Sequence, residues 1–157
     1  MDVVIRRFES ADAQPTRRVF ESAIRGTASS YYTRQQIEAW CPAEYDEGAW
    51  AQARGRAWTV VAEVGGEVVG FSDLSDDGEL DMLFVDPSVG GRGVARQLVG
   101  AVLAQARACG VARVTTRASR AAQPAFERFG FVVDRVEKDN VVRGVVVPRA
   151  RMHIDLD

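Results

Sequence analysis

Three glycines and two arginines stand close together where an apolar stretch gives way to a helix-like pattern, in VDPSVGGRGVARQLV (85–99). They are Gly90, Gly91, Arg92, Gly93 and Arg96. Clustered glycines indicate unusual backbone torsions or the close approach of another group to the backbone. Free amides at a helix N-terminus, with arginine beside them, can hold a pyrophosphate by the helix dipole and by charge-assisted hydrogen bonds. A plain glycine-rich turn that caps a helix explains these residues equally well.

Two familiar nucleotide-binding loops fit this stretch poorly. The dinucleotide fingerprint G-x-G-x-x-G matches Gly91 and Gly93, but Arg96 stands where the third glycine packs. The stretch also follows a late strand of an antiparallel run, whereas the fingerprint opens a βαβ unit. A Walker A loop is excluded because no Gly-Lys-Ser/Thr follows. A nicotinamide-nucleotide module is therefore the weaker interpretation.

The composition is that of an ordinary globular chain. Of 157 residues, 46% are hydrophobic and 27% are charged, which predicts one domain over residues 1–157 with a real core. A net charge of −2 gives no electrostatic reason to expect nucleic acid or a membrane as a partner. MDVVIRRFESAD (1–12) lacks an apolar signal region. Cys41 and Cys109 show no metal-ligand spacing, so we expect a cytoplasmic protein with free thiols and no metal.

The first third of the chain predicts one strand and three helices. VVIRRF (3–8) has the pattern of a strand, and Ser10 is a candidate N-cap for the helix that follows. Thr33 and Gln36 have the form of a capping box, and Asp46 predicts the start of a third helix. All three tyrosines lie in this part of the chain, where they can fill a core or wall a pocket.

The remaining elements predict the fold class. AWTVVAEV and EVVGFSDL flank Gly65-Gly66, a strong signal for a two-residue hairpin. ELDMLFV (79–85) is apolar on both faces and predicts a covered central strand. After the glycines come a long helix ending at Gly110, a strand, a short helix and two more strands. This order predicts an α/β (α+β) fold, with a mixed, mostly antiparallel central sheet of about seven strands flanked by helices.

Two stretches in the second half of the chain carry a family resemblance. MLFVDPSVGGRGVARQLV (82–99) resembles the acetyl-CoA loop of the GNAT superfamily of N-acetyltransferases, in which a strand ending in V-x-P leads into (Q/R)-x-x-G-x-(G/A) at a helix N-terminus. AAQPAFERFGF (121–131) is similar to the family's short helix that ends in an aromatic-glycine-phenylalanine step. The element order resembles the family over essentially the whole chain. The aromatic early helices and DMLFVDP look like an uncharacterised bacterial branch of it.

The resemblance implies a binding site for acetyl-CoA as a cosubstrate. It places the pyrophosphate among residues of the glycine loop, namely Gly90, Gly91, Arg92, Gly93, Val94, Ala95 and Arg96. The Gln or Arg that opens the family's loop falls on Gly90, so one side-chain contact with phosphate is lost. Arg92 or Arg96 can replace that contact.

The resemblance also implies where the rest of the cosubstrate lies. Leu83 and Val85, with Phe84 between them, would offer backbone groups to the pantetheine arm. Their strand would splay from the next strand, ARVTTR (112–117), and so open a slot for acyl-CoA. Ser119 falls near the family's asparagine position and could touch the thiol end. A serine just after a strand is more often a helix cap.

The resemblance implies direct transfer in a ternary complex, and no nucleophile motif such as G-x-S-x-G is present. Asp81 is the best candidate for the base, because it shares a predicted strand face with Leu83 and Val85 in apolar surroundings. A carboxylate paired with an arginine is an equally open interpretation of Asp81. Glu79 and Asp73 lie closer to the turn, where a solvated charge is the commoner role.

The proton donor is harder to place. The tyrosine that many family members use as general acid falls on Phe126, which cannot donate a proton. Tyr31 and Tyr32 precede the aromatic helix, where the family builds its acceptor site, so Tyr32 is a candidate donor. Core packing of either tyrosine, with water as the acid, stays open. His153, in the last predicted strand, is more typical of a structural role.

The expected function is therefore transfer of an acetyl group to the amine of a small molecule or peptide. A longer acyl donor or a hydroxyl acceptor is a related alternative. A non-catalytic acyl-CoA-binding regulatory domain is an alternative of another class, which the missing tyrosine keeps open. The sequence leaves the acceptor and the oligomeric state undetermined, with a homodimer among the states that it allows.

Overall fold

The computed structural model describes residues 2–157, in which five α-helices and ten β-strands occur. The helices are α1 (Ala13–Gly26), α2 (Arg34–Trp40), α3 (Glu47–Arg56), α4 (Val94–Ala108) and α5 (Gln123–Arg128). The strands are β1 (Val3–Arg7), β2 (Trp58–Val64), β3 (Glu67–Leu74), β4 (Glu79–Leu80), β5 (Leu83–Val85), β6 (Arg113–Ser119), β7 (Val132–Glu137), β8 (Val141–Val142), β9 (Val145–Val146) and β10 (Arg149–Asp155).

The strands form two four-stranded sheets. The first sheet has the order β1-β2-β3-β5 and is antiparallel throughout, and the second has the order β4-β6-β10-β7. Among the described residues, β4 and β6 form the one parallel pair. The mixed, mostly antiparallel fold with flanking helices is confirmed. The predicted count of about seven strands is too low, because residues 79–85 form two strands, β4 and β5, and because β8 and β9 add a short hairpin of their own.

The predicted hairpin between β2 and β3 is confirmed. Gly65 has a φ of +59° and Gly66 a φ of +81°, so both residues take the left-handed conformation. A two-residue hairpin loop of this kind favours glycine because other L-residues adopt two successive positive φ angles at a cost. The hairpin sets the register that places Phe71 opposite Val61 in the middle of the first sheet.

The prediction of one continuous strand over 79–85 is wrong. The chain breaks at Asp81 and Met82, whose amides donate to the Asp73 carboxylate at 3.0 and 2.8 Å. The Ser72 hydroxyl donates to the Met82 carbonyl at 2.7 Å. These side chains of β3 replace the ladder hydrogen bonds that a continuous strand would make, so β4 stays with the second sheet and β5 joins the first.

Helices cover both faces of the first sheet. Alternate residues of β2 point to opposite faces: Val60 and Ala62 belong to the core beneath α4, and Val61 belongs to the core beneath α1. Phe71 of β3 is fully buried on the α1 face, where its ring meets the Trp50 ring of α3. The helices α1 to α3 therefore form one layer and α4 the opposite layer around the β-strands.

Of the three caps predicted for the first three helices, two are confirmed and one is wrong. The capping box of α2 is present, with the Thr33 hydroxyl accepting from the amide of Gln36 at 3.2 Å, and Asp46 caps α3. Ser10 does not cap α1. It begins a short 3-10 turn that ends at Asp12, whose carboxylate is held by both terminal nitrogens of Arg6.

Candidate active site

A cleft opens where β5 and β6 part. Residues Glu79 and Leu80 pair with β6, but from Leu83 onward the chain pairs with β3 instead. Two adjoining cavities of about 280 and 230 Å3 lie along this opening. They share lining residues from both sides of the cleft, namely Trp40, Leu83, Phe84, Ser119 and Ala122. The two cavities therefore form the ends of one cleft.

The glycine loop lies at the mouth of the larger cavity. Gly91 and Gly93 have φ angles of +77° and +80°, and Gly93 is the N-cap of α4 without a side-chain capping bond. Helix geometry leaves the first amides of α4 without intrahelical acceptors. Gly90 and Ala95 line the cavity itself. The loop thus presents backbone donors at the positive end of a helix dipole.

The remaining residues of the loop differ in what they present. Arg92 and Arg96 are exposed, and the Arg96 guanidinium lies 5.6 Å from the centre of the Phe129 ring of the neighbouring segment. The Val94 side chain is buried in the core beneath α4, so only its backbone faces the loop. The loop therefore presents backbone groups from all of its residues and exposed side chains from the two arginines.

One edge of β5 faces the cleft. The Asp86 amide donates to the Val69 carbonyl of β3 at 2.8 Å. Because backbone groups along an antiparallel strand alternate between its two edges, Phe84 also directs its backbone towards β3. The backbone N–H and C=O groups of Leu83 and Val85 accordingly point into the cleft. This is the orientation that a ligand lying along β5 requires for backbone hydrogen bonds.

The smaller cavity contains the candidate catalytic residues. Asp81 lines it and is exposed, and within residues 2–157 its carboxylate has no hydrogen bond or ion pair. The interpretation of Asp81 as half of an arginine pair therefore does not hold for this conformation. Arg117, which lines the same cavity, pairs with Glu79 at 2.6 Å instead.

Asp73 is the residue whose environment the sequence interpretation misjudged. It was expected to be solvated near a turn, but it is only 2% exposed and lies directly beneath the strand break. Burial raises its pKa to about 6, and the Asp81 carboxylate acts in the same direction. The amides of Met82 and Asp81 and the charge of Arg54 oppose that rise. The apolar run VVGFSDL could have indicated that Asp73 is buried, since a strand covered on both faces buries all of its side chains.

Tyr32 reaches the smaller cavity with its hydroxyl already hydrogen-bonded. The phenol donates to the Pro148 carbonyl at 2.8 Å and accepts from the Arg120 amide at 2.8 Å. Burial raises the pKa of this phenol, so it stays protonated across the neutral range. Phe126 lines the same cavity and packs edge-to-face against Phe131, with ring centres 5.1 Å apart.

Ser119, the last residue of β6, lies at the junction of the two cavities, three residues beyond the last pair that β6 forms with β4. Its hydroxyl accepts from the amide of Ala122 at 3.1 Å in the turn that precedes α5, whose N-cap is Ala122 rather than Ser119. Ser119 therefore combines a structural hydrogen bond with a place beside the cleft.

Comparison with known proteins assigns the chain to a class of acyltransferases. Residues 28–154 match the family model described as an acetyltransferase (GNAT) domain. An N-acetyltransferase of Escherichia coli K12 named YafP, which is described as uncharacterised, is 35% identical over 130 residues, covering 83% of this chain and 81% of that protein. The chain belongs to the GNAT family of N-acetyltransferases.

Solved structures agree with this assignment. A GCN5-related N-acetyltransferase from Rhodopseudomonas palustris superposes with a TM-score of 0.94 at 29% identity, covering 99% of this chain and 97% of that one. The PaiA N-acetyltransferase from Thermoplasma acidophilum, solved in complex with coenzyme A, superposes with a TM-score of 0.82 at 17% identity, covering 99% and 100%. The second likeness concerns the fold alone.

Two further features are absent from residues 2–157. No cluster of three or more histidine, cysteine, aspartate or glutamate side chains is arranged to hold a metal ion there. None of the helices in that range has the length and apolar character needed to cross a bilayer.

Proposed function

We propose that the protein transfers the acetyl group of acetyl-CoA to an amine in the cleft between β5 and β6, in one domain over residues 1–157. The observation that carries the proposal is the free edge of β5, where Leu83 and Val85 direct backbone groups into a cleft that begins at the N-terminus of α4. The Thermoplasma relative solved with coenzyme A has the same fold, which supports the choice of cosubstrate.

The glycine loop fits a pyrophosphate. Gly91 and Gly93 have positive φ angles, and an added Cβ at either position would meet no atom within 4 Å, so the space beside the backbone is open. An anion there gains from the backbone amides and from the dipole of α4. We propose that these amides, together with Arg92 and Arg96, bind the phosphates.

The chemistry requires the protein to assist two proton transfers. Acetyl-CoA supplies an activated acyl group as its thioester. The acceptor nitrogen must lose a proton to attack the carbonyl carbon, and the sulfur that departs must gain one. We propose that Asp81 accepts the proton from the amine, directly or through water. Its carboxylate is free of partners and lines the smaller cavity.

We propose Tyr32 as the proton donor. It lines the same cavity as Phe126, which occupies the position of the family's tyrosine, and its raised phenol pKa keeps the proton in place before reaction. Donation would exchange the present hydrogen bond to the Pro148 carbonyl for one to sulfur. The Arg120 amide would stabilise the phenolate that results.

The acceptor is an amine of a small molecule or of a peptide. The smaller cavity has a volume of about 230 Å3 and admits a side chain or a small ligand, which favours these two classes. The arginines that line it, Arg117 and Arg149, are paired with Glu79 and Glu137. Asp81 therefore supplies the unpaired charge in the cavity, and that charge attracts an ammonium group.

A non-catalytic acyl-CoA-binding domain is the second candidate. Phe126 favours it, because a phenylalanine removes the proton donor that many relatives use. The experiment that separates the two candidates combines acetyl-CoA with a panel of polyamines, amino acids and peptides, and measures free thiol and acetylated product. Transfer requires both products in equal amounts, whereas a binding domain protects acetyl-CoA without consuming it.

A further inference from the structure

The buried carboxylate of Asp73 holds the two residues at which the chain leaves β6. One oxygen, Oδ1, accepts both amides, from Asp81 at 3.0 Å and from Met82 at 2.8 Å. Leu80, just before the break, is hydrogen-bonded through its carbonyl to the Thr116 hydroxyl of β6 at 2.7 Å. The chain is therefore fixed to the second sheet on one side of the break and to Asp73 on the other.

A buried positive charge accompanies this carboxylate. The Arg54 guanidinium, at the end of α3, is 5% exposed, and its Nε and Nη1 have no hydrogen-bond partner. It lies 4.4 Å from the centre of the Trp50 ring and attracts both Asp73 and Asp81. Burying a guanidinium with unpartnered donors costs stability. Attraction to two carboxylates at the strand break offsets part of that cost.

We propose that Asp73, with the opposite charge of Arg54 beside it, is a positioning residue for acetyl transfer. Its carboxylate holds the strand break so that the Asp81 carboxylate and the β5 edge face the cleft. The proposal rests on the function proposed for the cleft. Asp73 does not touch the reacting atoms: it acts through the amides of Asp81 and Met82. An ionised carboxylate accepts such hydrogen bonds more strongly than a neutral group does.

The protonation of Asp73 therefore connects pH to the geometry of the site. The charged groups that act on it are Arg54 from α3 and Asp81 from the break, while Arg17 from α1 acts in turn on Arg54. With a pKa of about 6, Asp73 is ionised at pH 8 and protonated at pH 5. The two hydrogen bonds that it accepts from the amides of Asp81 and Met82 therefore weaken as the pH falls over that interval.

The test uses the full chain with Asp73→Asn, which keeps an acceptor oxygen but cannot ionise. The matched control is Asp77→Asn, on the exposed turn that follows β3. Hydrogen-exchange protection factors of the Asp81 and Met82 amides are measured by NMR from pH 5 to 8, beside the pH profile of kcat. For the wild type, both protection factors should fall on acidification through about pH 6.

Asp73→Asn should lower the protection factors and kcat roughly tenfold at pH 8, the loss expected when a charge-assisted hydrogen bond becomes a neutral one. The decline of kcat below about pH 6 that is expected for the wild type should disappear in the variant, and acetyl-CoA should still bind. The proposal would be overturned if the protection factors of Asp73→Asn equalled those of the wild type. It would also be overturned if the variant had a lowered kcat but kept the acidic limb of the wild-type pH profile. If the wild type acetylated no amine, the proposed function would fail, while pH-independent wild-type protection factors would separately overturn the role of Asp73.

Discussion

The amide of Met82 donates to the carboxylate of Asp73 at 2.8 Å, at the place where the chain passes from the second sheet to the first. Before this contact, Leu80 pairs with Thr116 of β6, and after it Leu83 pairs with Ser72 of β3. The cleft exists because these two pairings cannot continue together. The Asp73 side chain of β3 thus holds the chain at the point where the cleft between β5 and β6 opens, and a cosubstrate can lie in that cleft.

The glycine loop gives the first prediction. Gly93→Asp should abolish acetyl-CoA binding, since the new side chain brings a negative charge to the first amides of α4, where the phosphates are proposed to bind. Calorimetric titration measures this. Gly110→Asp is a matched control, because Gly110 has a φ of +76° and open space for a Cβ at the opposite end of the same helix. Equal affinity of the Gly93 variant and the wild type would exclude the loop as the phosphate site.

The second prediction concerns the base. Asp81→Asn keeps the shape of the side chain and removes its basic oxygen, so kcat should fall by about 10²–10⁴, the usual contribution of general acid–base catalysis. Acetyl-CoA affinity should remain near that of the wild type, because the cosubstrate is bound by the loop and by β5. Steady-state kinetics over pH, with Asp76→Asn as an exposed control, provide the measurement. An unchanged kcat would make Asp81 a structural residue.

The third prediction separates two roles of Tyr32. Tyr32→Phe leaves the Pro148 carbonyl and the Arg120 amide without their partner, which should cost about 1–3 kcal/mol of unfolding free energy. If the phenol is the proton donor, kcat should also fall by about 10²-fold or more at a temperature where the variant is fully folded. Urea unfolding and single-turnover kinetics measure the two effects. Loss of stability alone would assign the proton to water.

The fourth prediction is a dependence of stability on pH. The pKa of Asp73 is raised from 3.8 to about 6, so the folded protein binds its proton more tightly than the unfolded chain does. Stability against global unfolding, in which Asp73 becomes solvated, therefore falls as the pH rises through this interval, and Asp73 contributes a loss of roughly 2–3 kcal/mol between pH 4 and pH 8. Local opening of the strand break, in which Asp73 stays buried and only its two hydrogen bonds are lost, has the opposite dependence on pH.

Asp73→Asn removes this titration, while the other carboxylates titrate in both proteins and cancel in the comparison. The unfolding free energy of the wild type should decline relative to that of the variant as the pH rises from 4 to 8. Denaturant unfolding at four or five pH values measures the difference. A constant difference over that range would show that Asp73 is not a buried acid with a raised pKa.

The sequence predicted the parts of the fold that depend on local patterns. The Gly65-Gly66 hairpin, the capping box of Thr33 and Gln36, and the helix start after Gly93 each follow from short-range rules on torsions and hydrogen bonds. The family resemblance indicated the splayed strands. These predictions required no knowledge of which strands become neighbours.

The features that the sequence interpretation missed depend on tertiary contacts. Whether Asp73 is solvated or buried is decided by the helices that cover β3, which are far away in sequence. The strand break at Asp81 in turn needs an acceptor from β3 opposite its amides. The cap of α1 was misplaced for the same reason, since Arg6 of β1 holds Asp12 rather than leaving Ser10 to cap the helix.

The central claim is that the cleft between β5 and β6 transfers acetyl from acetyl-CoA to an amine. The most direct measurement follows thiol release and acetylated product together across an amine panel, with the wild type and Asp81→Asn at equal acetyl-CoA saturation. The account predicts one acetylated amine for each free thiol in the wild type and a rate lowered by about 10²–10⁴ in the variant. Intact acetyl-CoA bound to the wild type in the presence of every amine would contradict it.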